Sequence, residues 1–111
     1  MSNTFFVSLD PLKTAQKVID NIVGGSFTGE LIDDYSVGGD AAGCRVLVFE
    51  KYYQRVNNRL ILTVVIDIIT GRTRVHYASG GGGEGMLFRF DWGAADSFAG
   101  CVQDALDSYI I

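Results

Sequence analysis

Four runs rich in β-branched and aromatic residues follow one another at residues 28–37, 45–56, 60–70 and 72–78. Only short turn signals separate them: a glycine-containing stretch at 38–43, then Asn57 and Asn58, then Thr70 and Gly71. Connections that short leave no room for a crossover, so each run must pair antiparallel with the next. The centre of the fold is therefore a meander.

Helices flank it. Asp10 is a good N-cap, Pro11 suits the first helical position, and Leu12, Ala15, Val18, Ile19 and Ile22 recur at helical spacing before Gly24 and Gly25 end the run. From Gly93 onward, Ala94, Phe98, Cys101, Val102, Ala105, Leu106 and Tyr109 make one apolar stripe, which predicts a second helix. Short strands are expected at 4–9 and 86–90. The predicted class is α+β, with two layers. An antiparallel sheet of five to six strands with a meander core carries an N-terminal and a C-terminal helix on one face. No repeat or linker interrupts residues 1–111, so a single domain is expected.

Composition narrows the function. Of 111 residues, 48% are apolar, enough for a core that needs neither metal nor disulfide. Nine basic against thirteen acidic side chains give a net charge of -4, without the clustered Lys and Arg that a phosphate backbone requires, so nucleic acid is not an expected partner. The longest apolar stretch, 60–69, is about half the roughly 20 residues of a spanning helix and is broken by Thr63 and Asp67, so no membrane partner is expected. The first ten residues lack a basic start and an apolar core, which predicts a cytoplasmic protein. Cys44 and Cys101 lie far apart with no histidine at ligand spacing and read as reduced, buried thiols; neither a metal nor a cofactor is expected.

Counting back from two-residue hairpins sets a register in which Phe49 faces Ile66, Lys51 faces Val64 and Glu50 faces Val65. On the next strand Val75, Tyr77 and His76 face Ile66, Val64 and Val65 in turn. Alternation then gathers Leu47, Phe49, Tyr53, Leu60, Leu62, Val64, Ile66, Ile68, Val75 and Tyr77 on a core face. The opposite face receives Val46, Val48, Glu50, Tyr52, Arg59, Ile61, Thr63, Val65, Asp67, Arg74 and His76. It carries an apolar stripe with a polar surround, which fits self-association, cover by another part of the chain, or a ligand surface.

Two local constellations stand out. Asp67 lies opposite Arg74 and diagonal to His76, with Glu50 across Val65, an arrangement that serves acid-base chemistry or a plain cross-strand ion pair. The glycine run 80–85 reads as a mobile loop, or as a cradle of N–H groups for an anion, although it lacks the Lys and Ser/Thr of a P-loop. Trp92 reads as a packing residue or a stacking platform. By fold-level analogy, a long C-terminal helix across a curved sheet is similar to a shortened helix-grip architecture, whose sheet and helix enclose a cavity for a small apolar ligand.

The residues Phe49, Glu50, Lys51, Tyr52, Asn58, Arg59, Ser79, Gly80, Gly81, Trp92, Gly93 and Phe98 resemble a small bacterial family, mostly Gram-positive, of unknown function. Its pattern is E-[RK]-Y, a turn, N-R, a strand, S-G-G, an aromatic strand and a G-E-[ED]-x-F helix start. The resemblance spans about 45–106. The chain departs from it at Lys51, where Arg is usual, at Ala94 and Ala95, where acids are usual, and in its longer glycine run. The resemblance implies a shared fold and no particular activity. With the register, it places Glu50, Tyr52 and Arg59 on the second face and Ser79, Gly80 and Gly81 near its end. The expected function is a non-enzymatic interaction module that forms a homodimer through that face; the alternative is an apolar-ligand carrier.

Overall fold

The computed structural model describes residues 2–25, 29–38, 43–53, 58–83 and 92–111. Strand β1 (Ser2–Val7) leads into helix α1 (Pro11–Gly24), and then come β2 (Glu30–Val37), β3 (Cys44–Tyr53), β4 (Asn58–Asp67), β5 (Thr73–Gly83) and helix α2 (Trp92–Leu106). A 3-10 turn at Asp107–Tyr109 follows. The strands form one antiparallel sheet in the order β1-β5-β4-β3-β2, so β2 to β5 are the expected meander and β1 joins its far side. Because β1 and β2 lie at opposite edges, α1 has to cross the sheet between them. Its 14 residues extend about 21 Å, matching the roughly 19 Å between the outermost of five strands. The expected strand at 86–90 lies outside the described residues.

Local chemistry explains the first helix. The Asp10 carboxylate accepts a hydrogen bond from the Lys13 N–H at 2.8 Å, and Pro11 fills the first helical position, where its missing donor costs nothing. Pro11, Thr14, Ala15, Val18 and Ile22 form the buried stripe. Leu12, expected in that stripe, is exposed, because Thr14 takes the inward position and donates its hydroxyl to the Asp10 carbonyl at 2.7 Å.

The core lies between the sheet and both helices. Leu47, Phe49, Leu60, Leu62, Val64, Ile66, Val75 and Tyr77 are all buried, as the alternation required, and Ala15, Val18, Ile22, Phe98, Val102 and Leu106 meet them. Each large side chain buried here contributes roughly 1.5–3 kcal/mol before entropy is counted. Asn21 on α1 donates to the Cys101 carbonyl on α2 at 2.9 Å, which locks the two helices together. Tyr77 donates to the Gln103 side chain at 2.7 Å, tying α2 to β5.

Two expectations of register are corrected. Between β4 and β5 the partners are as counted, Ile66 with Val75 and Val65 with His76, but the ladder stops at Asp67 and Arg74. A wider turn follows, closed by the Gly71 N–H on the Ile68 carbonyl at 3.0 Å, with Gly71 at φ +93°. Between β3 and β4 the pairing differs by four residues: Phe49 faces Leu62, Lys51 faces Leu60 and Glu50 faces Ile61. Asn58 belongs to the ladder, opposite Tyr53, and residues 54–57 that join the strands lie outside the described residues. An even shift leaves every side chain on its own face, so hydrophobic alternation could not reveal it. The observed pairing joins all ten residues of each strand.

The glycine run is also corrected. Gly80 to Gly83 are not a loop but the end of β5, paired with Ile61, Leu60, Arg59 and Asn58. Gly81 sits at φ +144°, and a Cβ there would run into the Arg59 carbonyl oxygen. Close backbone approach is what Gly81 provides at this end of the sheet, and Glu84 and Gly85 of the run lie outside the described residues.

Candidate functional site

Apart from Asp67, the buried sheet side chains project toward the helices, and the residues between them build a second face. The register arranges that face in cross-strand rows. One runs Tyr35, Val46, Val65, His76 and Thr4; beside it, on the side of the β3–β4 connection, runs Asp33, Val48, Thr63 and Ala78, and then Glu30, Glu50, Ile61 and Gly80. Tyr52 and Arg59 close that end, while Val37, Cys44, Asp67, Arg74 and Phe6 close the other. Val46, Val48, Ile61 and Val65 are half-buried by their neighbours within the sheet, and Tyr35 and Val37 are 59% and 51% exposed. The middle of the face is apolar and partly exposed among the described residues, and most of the 38–43 stretch considered as its cover lies outside them.

Charge pairs occupy both ends. Arg59 approaches Glu50 at 3.4 Å, and its guanidinium lies 5.6 Å from the centre of the Tyr52 ring. These three side chains, from positions the family resemblance singled out, do come together. With Gly29, Glu30 and Lys51 they line an open depression of about 420 Å³ at the junction of β2, β3 and β4. Gly80 and Gly82 extend no side chains over Ile61 and Arg59 from β5, which keeps this end of the face low.

At the other end, about 26 Å from Arg59 along β4, Arg74 donates to both Asp67 oxygens at 3.2 and 3.1 Å. Asp67 is buried and also accepts the Ile69 N–H at 3.2 Å, so it holds the turn as well as the ion pair. His76 is exposed, and its Nδ1 shares a 2.7 Å hydrogen bond with the Thr4 hydroxyl. The trio of Asp67, His76 and Glu50 considered for acid-base chemistry is therefore not assembled. Asp67 is turned to Arg74, and the four-residue shift carries Glu50 to the far end of the face, opposite Ile61 rather than Val65.

Ser79 corrects a further expectation. It pairs with Leu62 and is buried on the helix side, so it does not join the second face; Gly81 follows the same parity, and only Gly80 belongs to that face. The Trp92 side chain lies outside what is described. Tyr35, Val37, Glu30 and Asp33 of β2 were not recognised as members of the face from the sequence. The loop at 38–43 is too long to count a register through, and a bulge between Leu31 and Asp33 breaks the alternation.

Among the described residues, two groups have shifted pKa values. Asp34 is held below its ordinary carboxylate value chiefly by hydrogen bonds from Arg45, whose Nε and Nη2 each stand 2.8 Å from its oxygens, against a smaller opposing effect of burial. Burial pushes the Cys101 thiol up, and Asp104 adds to the shift, which keeps it protonated and unreactive. Cys44 and Cys101 are both free thiols, on opposite sides of the sheet. Among the described residues, no three His, Cys, Asp or Glu side chains are grouped as metal ligands, and no helix is long and apolar enough to cross a membrane.

Residues 3–110 match the model of a family of unknown function, DUF6054, and the chain belongs to that family. No curated protein and no solved structure matches it.

Proposed function

We propose that this member of DUF6054 is a non-enzymatic cytoplasmic interaction module whose second sheet face binds the same face of another copy. The observation that carries the reading is the apolar centre formed by Tyr35, Val46, Val48, Ile61 and Val65, on the side of the sheet away from both helices, which no element among the described residues covers. Contiguous apolar surface rimmed by polar residues is the usual mark of a contact site.

A second copy fits this face better than an unrelated partner does, for two reasons. Each end carries an ion pair, Glu50 with Arg59 and Asp67 with Arg74. Whichever way a two-fold axis lies in the plane of contact, apolar centre meets apolar centre and each charged end meets one of mixed sign. The extent also fits. Five strands and five rows project onto about 500 Å², before side-chain relief is added, the same order as the roughly 800 Å² per partner of a standard interface. Sheet-on-sheet packing of this kind would give a core about 10 Å thick between the two copies. The two unpaired thiols support a reducing compartment.

Light scattering across a dilution series tests the proposal. A mass of two chains that falls to one on dilution is expected, and joint replacement of Glu50 and Arg59 by alanine should move that transition. A single-chain mass at every concentration would contradict it.

A further inference from the structure

The two edges of the sheet are treated differently by the chain. Along β1 the outer backbone is occupied: the Ile111 N–H donates to the Phe6 carbonyl at 3.0 Å, the Ser8 N–H donates to the Tyr109 carbonyl at 2.9 Å, and Val7 bridges Ile110. Along β2 every side chain except Leu31 is exposed on both sides of the sheet, Ile32 and Tyr35 to 51% and 59%. Among the described residues, the only strand paired with β2 is β3. Past the bulge, 33–37 make a straight run at the edge that is a template for one more strand, and within it the Asp34 N–H donates to the Asp33 carboxylate at 3.0 Å.

We propose that this edge takes up an extended, basic segment of another protein by strand addition. The strand's own charges select that occupant. β2 contains Glu30, Asp33 and Asp34 and no basic residue. A second copy pairing antiparallel about Asp33 or Asp34 would set that aspartate directly against its own mate, because facing residues must share a side of the sheet, and like charges so placed repel; pairing about Tyr35, which sets Asp33 against Val37, escapes this. The bulge and the two aspartates thus shield the edge from copies of this chain in the registers centred on Asp33 or Asp34. They do not shield it from lysine or arginine, which would meet Glu30 and Asp33 on the open face, where Tyr35 and Val37 offer apolar contacts to alternate side chains. Asp34 already holds Arg45 on the helix side, so the incoming charge is directed to one side of the added strand.

The test uses a capped peptide alternating lysine with valine and matched in length to β2, together with versions carrying glutamate in place of lysine or proline at the centre. Amide resonances and hydrogen exchange are followed on the whole chain. Expected are shifts and slowed exchange confined to 30–37 and the adjoining β3 with the lysine peptide, and binding that weakens about tenfold when Glu30 and Asp33 are both changed to lysine, two exposed positions. The proposal is overturned if the lysine peptide leaves 30–37 unperturbed, if it perturbs the open sheet face instead, if the glutamate or proline peptide binds equally well, or if exchange at 30–37 is already slow and concentration-dependent in the protein alone.

Discussion

Val46 and Val65 stand directly opposite each other on β3 and β4, at the centre of the sheet face that neither helix covers. Their strand neighbours two residues away, Val48 and Thr63, continue the row toward Glu50 and Arg59, whereas Cys44 and Asp67 continue it toward Arg74. An apolar centre with a charge pair at either end follows from ordinary alternation once the inward positions are committed to the core. What is unusual is that the outward positions of the central strands are valine and isoleucine where a solvated face would carry polar residues.

The Asp67 carboxylate joins a turn to a ladder. It accepts from Arg74 and from the Ile69 N–H while nearly excluded from water. Replacing Asp67 with alanine leaves a half-buried guanidinium and a turn amide without their acceptor, at a cost of about 1–3 kcal/mol. Urea denaturation should show a lower midpoint with an unchanged slope.

Gly81 gives a test of the corrected strand end. Its φ of +144° is open to glycine alone, and a side chain would press on the Arg59 carbonyl. Gly81→Ala is expected to cost about 1–3 kcal/mol and to lower the melting temperature. Gly80→Ala, whose Cβ meets nothing within 4 Å, should be nearly neutral. Equal tolerance of both changes would mean that the run is a loop after all.

The Asp34–Arg45 pair predicts a pH dependence. The folded-state pKa of Asp34 lies below the ordinary value of 3.8, so the pair's stabilisation is fully present above that value and is lost as pH falls through the lowered one. Asp34→Asn should therefore be less stable than the parent at neutral pH by about 0.2–1 kcal/mol, as befits a partly exposed pair. The difference should close in acid, and denaturation at pH 7 and near pH 2 measures both ends.

The order of elements, the meander and the two faces were legible in the sequence because period-2 and period-3.6 patterns are written in side chains such as Leu60, Leu62, Val64 and Phe98, Val102. The pairing of Glu50 with Ile61 was not, because a shift by an even number of residues leaves the same hydrophobic pattern. The strand at Gly80 was hidden for a different reason. Glycine has no side chain to report alternation, and only the need of Asn58 to Ile61 for hydrogen-bonding partners draws it into the sheet. The site was half legible: the family resemblance brought out Glu50, Tyr52 and Arg59 and alternation set them on one face, but their shared depression also needs Gly29 and Glu30 from β2, whose bulge obscures its register.

The central claim is that the face around Val46 and Val65 joins two copies of this chain. Native mass spectrometry of the parent protein and of Val65→Lys, with circular dichroism to confirm the fold of both, tests it most directly. Val65 is half-buried and points away from the core between the sheet and the helices, so the lysine stem can extend outward without unfolding that core. The account predicts a dimer of bare chains for the parent and a folded monomer for the variant. A parent protein that is monomeric, or a Val65→Lys variant that remains fully dimeric, would contradict it.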